Sequence, residues 1–161
     1  MKTVVLYASR HGSAGKCAAK IAGKSAGETT VLNLKNAGPI DLADYDAVII
    51  GGSIRAGRIQ KNVKRFCEKN LKALKGKRLG LFLCCMAEGA KAEEQFAQAF
   101  PGELIAAAAA KGLFGGEFDF DKMNWLEKAV IKKISGVTAS VSKLKDEAID
   151  SFVRAMSGPG R

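Results

Sequence analysis

Ser9-Arg10-His11-Gly12-Ser13-Ala14-Gly15 follows the continuous apolar run 3–8 and opens the segment 16–26. A buried strand that turns through small, hydroxyl-bearing residues into a helix aims free backbone N–H groups, and the positive end of the helix dipole, at one point. Such a point suits an anion, above all a phosphate. The same residues also read as an ordinary helix start with Ser13 as its cap.

Spacing narrows the phosphate ligand. A dinucleotide loop needs three glycines as G-x-G-x-x-G, and here only Gly12 and Gly15 are present. A nucleoside triphosphate loop needs G-x-x-x-x-G-K-[ST]; Gly15-Lys16 fits, but Arg10 replaces the first glycine and Cys17 the magnesium-binding hydroxyl. What remains is Ser9, Ser13 and backbone amides, suited to a monophosphate without metal, as in flavin mononucleotide (FMN).

Around this loop, strand-like and helix-like segments alternate. Residues 3–8, 29–34, 45–52 and 79–85 read as strands: the first a central one covered on both faces, the second partly alternating, the third running into a glycine-rich end and the fourth buried. Residues 15–26, 60–74, 91–100 and 143–156 read as helices, each with an apolar stripe. The five alanines 106–110 favour helix by propensity, yet the alternation demands a fifth strand over about 108–114. Residues 121–135 read as a further amphipathic helix, with Trp125, Leu126, Ala129, Val130 and Ile134 on its inner side and Lys128, Lys132 and Lys133 outside. The expectation is an α/β doubly wound parallel sheet of order 2-1-3-4-5 with a helical insertion after strand 5. Residues 1–156 form one domain on this reading and 157–161 a disordered tail.

In that strand order, ligands sit at the carboxyl ends of strands 1 and 3. The loops there begin at Ser9, at Gly51 and at Cys84. In the second, Gly52, Ser53, Ala56 and Gly57 leave backbone that a flat heterocycle can approach, Ile54 can stack on it, and Arg55 supplies positive charge. In the third, Met86 is a soft contact for an aromatic plane.

The 161 residues are 47% hydrophobic and 26% charged, as in a globular protein that buries a core. No apolar run reaches the roughly 18 residues of a membrane span, and no secretory cleavage pattern follows Met1-Lys2, so the expected location is the cytoplasm. Cys17, Cys67, Cys84 and Cys85 lack paired metal spacing and His11 is the only histidine; reduced structural thiols are expected, with no metal. The net charge of +10 is concentrated: residues 55–78 carry ten basic side chains and one acid, Glu68. A basic surface of this kind attracts an anionic partner. It lacks interleaved aromatics, Phe66 being the only one, so nucleic acid is not the expected partner.

Residues 7–18, 45–58 and 125–136 together resemble the flavodoxin superfamily, and within it the branch of menaquinone-dependent protoporphyrinogen IX dehydrogenases. The phrase Tyr45-Asp46-Ala47-Val48-Ile49-Ile50-Gly51-Gly52-Ser53-Ile54-Arg55-Ala56-Gly57 is similar to that branch's third strand and loop. Lys132-Lys133-Ile134-Ser135-Gly136 resembles its insertion. The similarity runs nearly end to end and is loosest over 91–116.

The resemblance implies a flavodoxin-like three-layer sandwich and FMN as cofactor. It places Ser9, Arg10, His11, Gly12, Ser13 and Ala14 in the phosphate loop. Gly52, Ser53, Ile54, Arg55, Ala56 and Gly57, with Cys85, Met86, Ala87, Glu88 and Gly89, fall in the two flavin-ring loops. Ala14 departs from the family's threonine and removes a hydroxyl donor. His11 replaces an acid; it either donates to the phosphate or faces solvent. The implied activity is oxidation of a small-molecule substrate, a porphyrinogen, with electrons passed to a quinone. Peripheral contact with the inner face of the membrane would use the basic surface and the insertion helix. No residue is an evident general base, so no catalytic residue is assigned. The alternative is a flavodoxin-type shuttle that exchanges electrons with a redox protein.

Overall fold

The computed structural model describes residues 1–9, 12–118, 124–135, 141–142 and 144–159. Five strands, β1 (Lys2–Tyr7), β2 (Glu28–Asn33), β3 (Ala47–Ser53), β4 (Arg78–Cys84) and β5 (Ala110–Leu113), form a parallel sheet of order β2-β1-β3-β4-β5. This is the expected order. Register brings Tyr7 beside Gly51 and Ser53 beside Cys84, so β1, β3 and β4 end along one edge.

Helices cover both faces because the central strands alternate between two apolar layers. Val4, Leu6, Val48, Ile50, Leu79, Leu81 and Leu83 point to one core. On it lie α2 (Lys61–Lys69), α3 (Leu71–Lys75), α4 (Gly89–Ala99) and α5 (Gly102–Ala107). Val5, Ile49 and Phe82 point to the other, under α1 (Ser13–Lys24) and α7 (Asp146–Ser157). The buried stripe of α1, with Ala14, Cys17, Ala18 and Ile21, matches the helical spacing in the sequence.

Three local expectations change. The single helix over 60–74 is two, because the Asn70 side chain donates to the Phe66 carbonyl (2.9 Å) and breaks the apolar stripe. The alanine run divides: Ala106 and Ala107 end α5, and the strand begins only at Ala110. Propensity governs the first part and sheet pairing the second. The insertion is more than a helix: β6 (Glu117–Phe118) and β7 (Val141–Ser142) pair antiparallel, flanking α6 (Trp125–Ser135). The helix predicted from 121 is described only from Trp125, since 121–123 lie outside the described residues. Its start is set by Asn124, whose side-chain oxygen accepts the Glu127 N–H at 2.8 Å.

The basic stretch also divides. Lys75 pairs with Glu103 (2.8 Å), and Lys77 donates to the Tyr45 carbonyl (2.6 Å). Arg78 donates to the Met156 and Ala155 carbonyls at the end of α7, where a cation satisfies carbonyls left open by the helix. These side chains hold the far edge of the sheet. Arg55, Arg58, Lys61, Lys64 and Arg65 stay exposed at the near edge, where β3 ends.

Candidate functional site

The first loop folds on its own hydroxyls. Ser9 Oγ accepts the Gly12 N–H at 2.8 Å, and Gly12 stands at the helix N-cap position with φ 95°, a left-handed conformation that favours glycine. Ser13 is therefore the first helical residue and not the cap. No described side chain caps this helix, so its first-turn amides keep their capacity for an anion. Ser13 is 8% exposed and its hydroxyl lies 2.9 Å from that of Ser53. Ala14 is fully buried in the core beneath the sheet. Its methyl group packs inward, so it is the amide of Ala14 that belongs to the loop. Arg10 and His11 lie outside the described residues.

The second loop is shaped by two backbone ties. Ile54 N–H reaches the Cys84 carbonyl (2.8 Å), and Arg55 and Arg58 exchange backbone hydrogen bonds of 2.8 and 3.1 Å. Between them Ala56 (φ 49°) and Gly57 (φ 77°) form a two-residue turn with both central residues left-handed, the geometry of a type I′ turn. The expected open backbone at the strand end is partly spoken for. A Cβ on Gly51 would come within 2.2 Å of the Phe82 ring, and one on Gly52 within 2.7 Å of Gln60 Oε1. These glycines make room for packing inside the protein. Open space begins at Gly57, where an added Cβ would meet nothing within 4 Å. Ile54 is half-buried against the core on one side.

In the third loop Cys85 is buried, and its thiol is pushed up by burial. It contributes backbone, not sulfur, to the edge. Met86 and Ala87 are half-buried, and Glu88 and Gly89 are exposed at the start of α4. Hydrogen bonds thus join the first loop to the second through Ser13 and Ser53, and the second to the third through Ile54 and Cys84. An open cleft lined by Leu42, Asn70 and Lys77 lies at the opposite edge of the sheet, before β3 and β4 begin, and shares no residue with these loops.

The insertion returns to this edge. Gly115 accepts the Cys85 N–H (2.9 Å), and a Cβ on Gly116 would come within 2.7 Å of Met86 Sδ. Glu117, with its side chain 10% exposed, pairs with Lys16 of α1 at 2.5 Å. Glu127, 9% exposed, pairs with Arg55 at 3.4 Å. Both acids were unassigned by sequence reasoning. The Asn124-x-x-Glu127 pattern was the available signal: it dates the helix start and puts Glu127 in its first turn. In that phase two residues of the expected inner side face solvent, Trp125 79% and Leu126 56% exposed. Ala129 and Lys133 are exposed as well, and the side chains of Val130, Lys132 and Ile134 are not described.

Beneath the edge, Cys84 Sγ donates to Cys17 Sγ at 3.5 Å. That bond draws the Cys17 thiol below its ordinary value, while the same bond and burial hold Cys84 well above. All four cysteines are free. Among the described residues no cluster of ligands could hold a metal, and no helix is long and apolar enough to cross a membrane.

Comparison with known proteins agrees with this architecture. A short-chain flavodoxin associated with a non-canonical PDU bacterial microcompartment superposes with a TM-score of 0.58 at 14% identity, covering 98% of this chain and 97% of that one. A Streptococcus pneumoniae TIGR4 flavodoxin gives 0.55 at 16% identity, covering 98% of both chains. Oxidised Flavodoxin 1 from Bacillus cereus gives 0.52 at 18% identity, covering 98% of this chain and 95% of that one. At such identities the likeness concerns the fold. A search of curated proteins returns no significant match. The flavodoxin-domain family model matches residues 4–144; with a sheet of the flavodoxin strand order and three loops meeting at its switch point, the chain belongs to the flavodoxin-domain family.

Proposed function

We propose that this protein binds FMN at the edge where β1, β3 and β4 end, and that residues 1–156 act as one flavodoxin-like oxidoreductase unit. The observation that carries the reading is the Ser13–Ser53 hydroxyl contact of 2.9 Å beside a helix start that no described side chain caps. It joins a phosphate-type loop to a ring-type loop at the topological switch point. Ser9, Ser13 and the amides of Ser13, Ala14 and Gly15 would hold the phosphate. The turn from Ile54 to Gly57 and the loop from Met86 to Gly89 would flank the ring. The hydroxyls and amides are neutral donors, which suits a monophosphate without metal.

When bound, FMN supplies a two-electron acceptor for hydrogen removal. The chain's own residues supply binding and enclosure. The insertion, held by Glu117 on Lys16 and Glu127 on Arg55, limits water access from one side. Those acids are engaged with cations, so proton abstraction is assigned to neither. The finer reading follows the resemblance of the second loop and insertion: oxidation of a reduced tetrapyrrole of the protoporphyrinogen IX type, with electrons passed to a quinone. A second reading, electron exchange with a redox protein, is favoured by the exposed cations beside the second loop.

The test is spectroscopic and then kinetic. The purified or FMN-reconstituted protein is expected to show flavin absorbance bands; a colourless protein that takes up no FMN overturns the proposal. Anaerobic turnover of protoporphyrinogen with a menaquinone analogue supports the dehydrogenase. Absence of turnover together with rapid electron exchange with a carrier protein replaces it with the second reading.

A further inference from the structure

Two side-chain contacts stand next to each other where α1 packs over β3 and β4. Ser13 and Cys17 are one helical turn apart on α1. Ser53 and Cys84 are register partners in β3 and β4, so their side chains leave the sheet on the same face. Ser13 meets Ser53 through hydroxyls at 2.9 Å, and Cys17 meets Cys84 through sulfurs at 3.5 Å. The other two cysteines are kept apart from this pair. Cys85 follows Cys84 in sequence, yet it faces the opposite core and its sulfur donates to the Ala87 carbonyl at 3.7 Å. Cys67 lies in that opposite core as well, where burial pushes its thiol up to about 12. Cys17 is just as buried, but the hydrogen bond from Cys84 draws its thiol below the ordinary value, and Lys20 one turn further on acts in the same direction. Thiolate character is what makes a cysteine reactive.

We propose that Cys17 and Cys84 are a redox-active dithiol, closed by hydrogen peroxide into a disulfide that clamps α1 to β4. A disulfide holds its sulfurs about 2.0 Å apart, and these two already touch. Both thiols are shut off from solvent, so the oxidant must be small; peroxide is little larger than water. The Cys17 thiolate attacks one peroxide oxygen: an S–O bond forms, the O–O bond breaks, and the leaving hydroxide takes up the Cys17 proton as water. Cys17 is then a sulfenic acid. The Cys84 sulfur attacks it, forming the S–S bond and breaking the S–O bond, and the departing hydroxide takes the Cys84 proton as a second water. Two electrons thus pass from the dithiol to peroxide. The product ties the helix that carries Ser13 to the strand whose Cys84 carbonyl holds the Ile54 N–H. The modification sits beneath both loops, and its formation does not depend on what those loops bind.

The experiment treats the full-length folded protein with a small excess of hydrogen peroxide, blocks remaining thiols under denaturing conditions and maps the peptides by mass spectrometry. The expected product has lost two hydrogen atoms, carries a Cys17–Cys84 link within one chain, and regains its mass with dithiothreitol. Blockable thiols should fall from four to two. The urea midpoint should rise on oxidation and return on reduction, because a link between distant residues restricts the unfolded chain. Cys84→Ala should stop at a sulfenic acid on Cys17 that dimedone traps. Should that variant not fold, Cys67→Ala and Cys85→Ala serve instead, since each keeps the pair and should form the link as the parent does. A protein that stays fully reduced, links through Cys67 or Cys85, or joins two chains overturns the proposal. A lowered urea midpoint overturns the clamp.

Discussion

The hydroxyl of Ser13, the first residue of α1, lies 2.9 Å from that of Ser53, the last residue of β3, forty positions away in sequence. A part-buried hydroxyl pair of this kind contributes about 0.5–1.5 kcal/mol. Ser13→Ala and Ser53→Ala are each expected to lower stability by that order in urea denaturation. The double variant should lose less than the sum of the two, because the second change removes a partner already gone. Each single change should also weaken FMN binding several-fold in a fluorescence titration. Full additivity would mean that the two loops are not coupled.

Gly51 sets a steric limit. The Phe82 ring covers it and stacks on Phe114 with centroids 5.3 Å apart, and Phe114 meets Phe152 edge-on at 5.3 Å. Gly51→Ala should cost about 1–3 kcal/mol or more by overpacking. Phe82→Leu in the same background should restore part of that loss although it is destabilising alone. If Gly51→Ala melts with the parent protein, the ring does not lie where it is placed here.

At the tip of the second loop, Ala56 and Gly57 both adopt positive φ. Left-handed backbone costs an L-residue roughly 1–2 kcal/mol. Ala56→Gly should relieve that strain, though it also frees the unfolded chain, for a net gain below about 1 kcal/mol. Gly57→Ala, in open space, should destabilise by roughly 1 kcal/mol through conformation alone. Thermal melts of the two variants should therefore move in opposite directions.

Cys67 gives stability a pH dependence of known sign. Burial pushes its thiol up to about 12 from an ordinary 9.0. Below 9 the thiol is protonated in both states and contributes nothing to the slope. Above 9 it ionises in the unfolded chain but not in the folded one, so stability falls as pH rises towards 12, by at most about 1.4 kcal/mol per pH unit. Cys67→Ala should reduce the alkaline slope measured between pH 9 and 10.5, whatever its effect at pH 7. An unchanged slope would show the thiol to be accessible in the native state.

Glu127 stands against Arg55 at 3.4 Å. In the FMN-loaded protein, Glu127→Gln should release the charge of Arg55 beside the second loop and raise the flavin potential, since a cation favours the reduced, more negative ring. Arg55→Gln should not raise it. Potentiometric titration of both variants checks this, and a fall in the Glu127→Gln variant would place Arg55 away from the ring. Glu127→Asp, which keeps the charge, should stay closest to the parent protein.

The strand runs were legible in the sequence because they depend on short-range patterning, and the parallel sheet and its order followed from the alternation of strands and helices. Val4 to Leu6, Val48 to Ile50 and Leu79 to Leu83 are apolar on both faces, and only a sheet covered twice accommodates that. The meeting of the Ser9 and Gly52 turns followed from the order alone. The failures came where one residue's role depends on which specific partner its side chain or surface meets. Asn70 breaks a helix whose apolar spacing continues past it, because its own amide reaches the Phe66 carbonyl. The glycines at the end of β3 read as ligand space, yet Phe82 fills one side and Ile59 and Gln60 the other.

The amino-acid pattern by itself determined which segments form the sheet, where they reverse, and that hydroxyls and glycines gather where β1 and β3 end. Hydropathy and turn chemistry act over a few residues and leave their mark in composition. Only the tertiary structure decided which way α6 faces and how the +10 charge is used. Glu127 turns inward because Arg55, seventy-two positions earlier, awaits it, and Trp125 is turned outward as a result. Lys77 and Arg78 are consumed by distant carbonyls while Lys61 and Arg65 are not. Electrostatic pairing across the fold has no period along the chain, so it appears only once the chain has closed on itself.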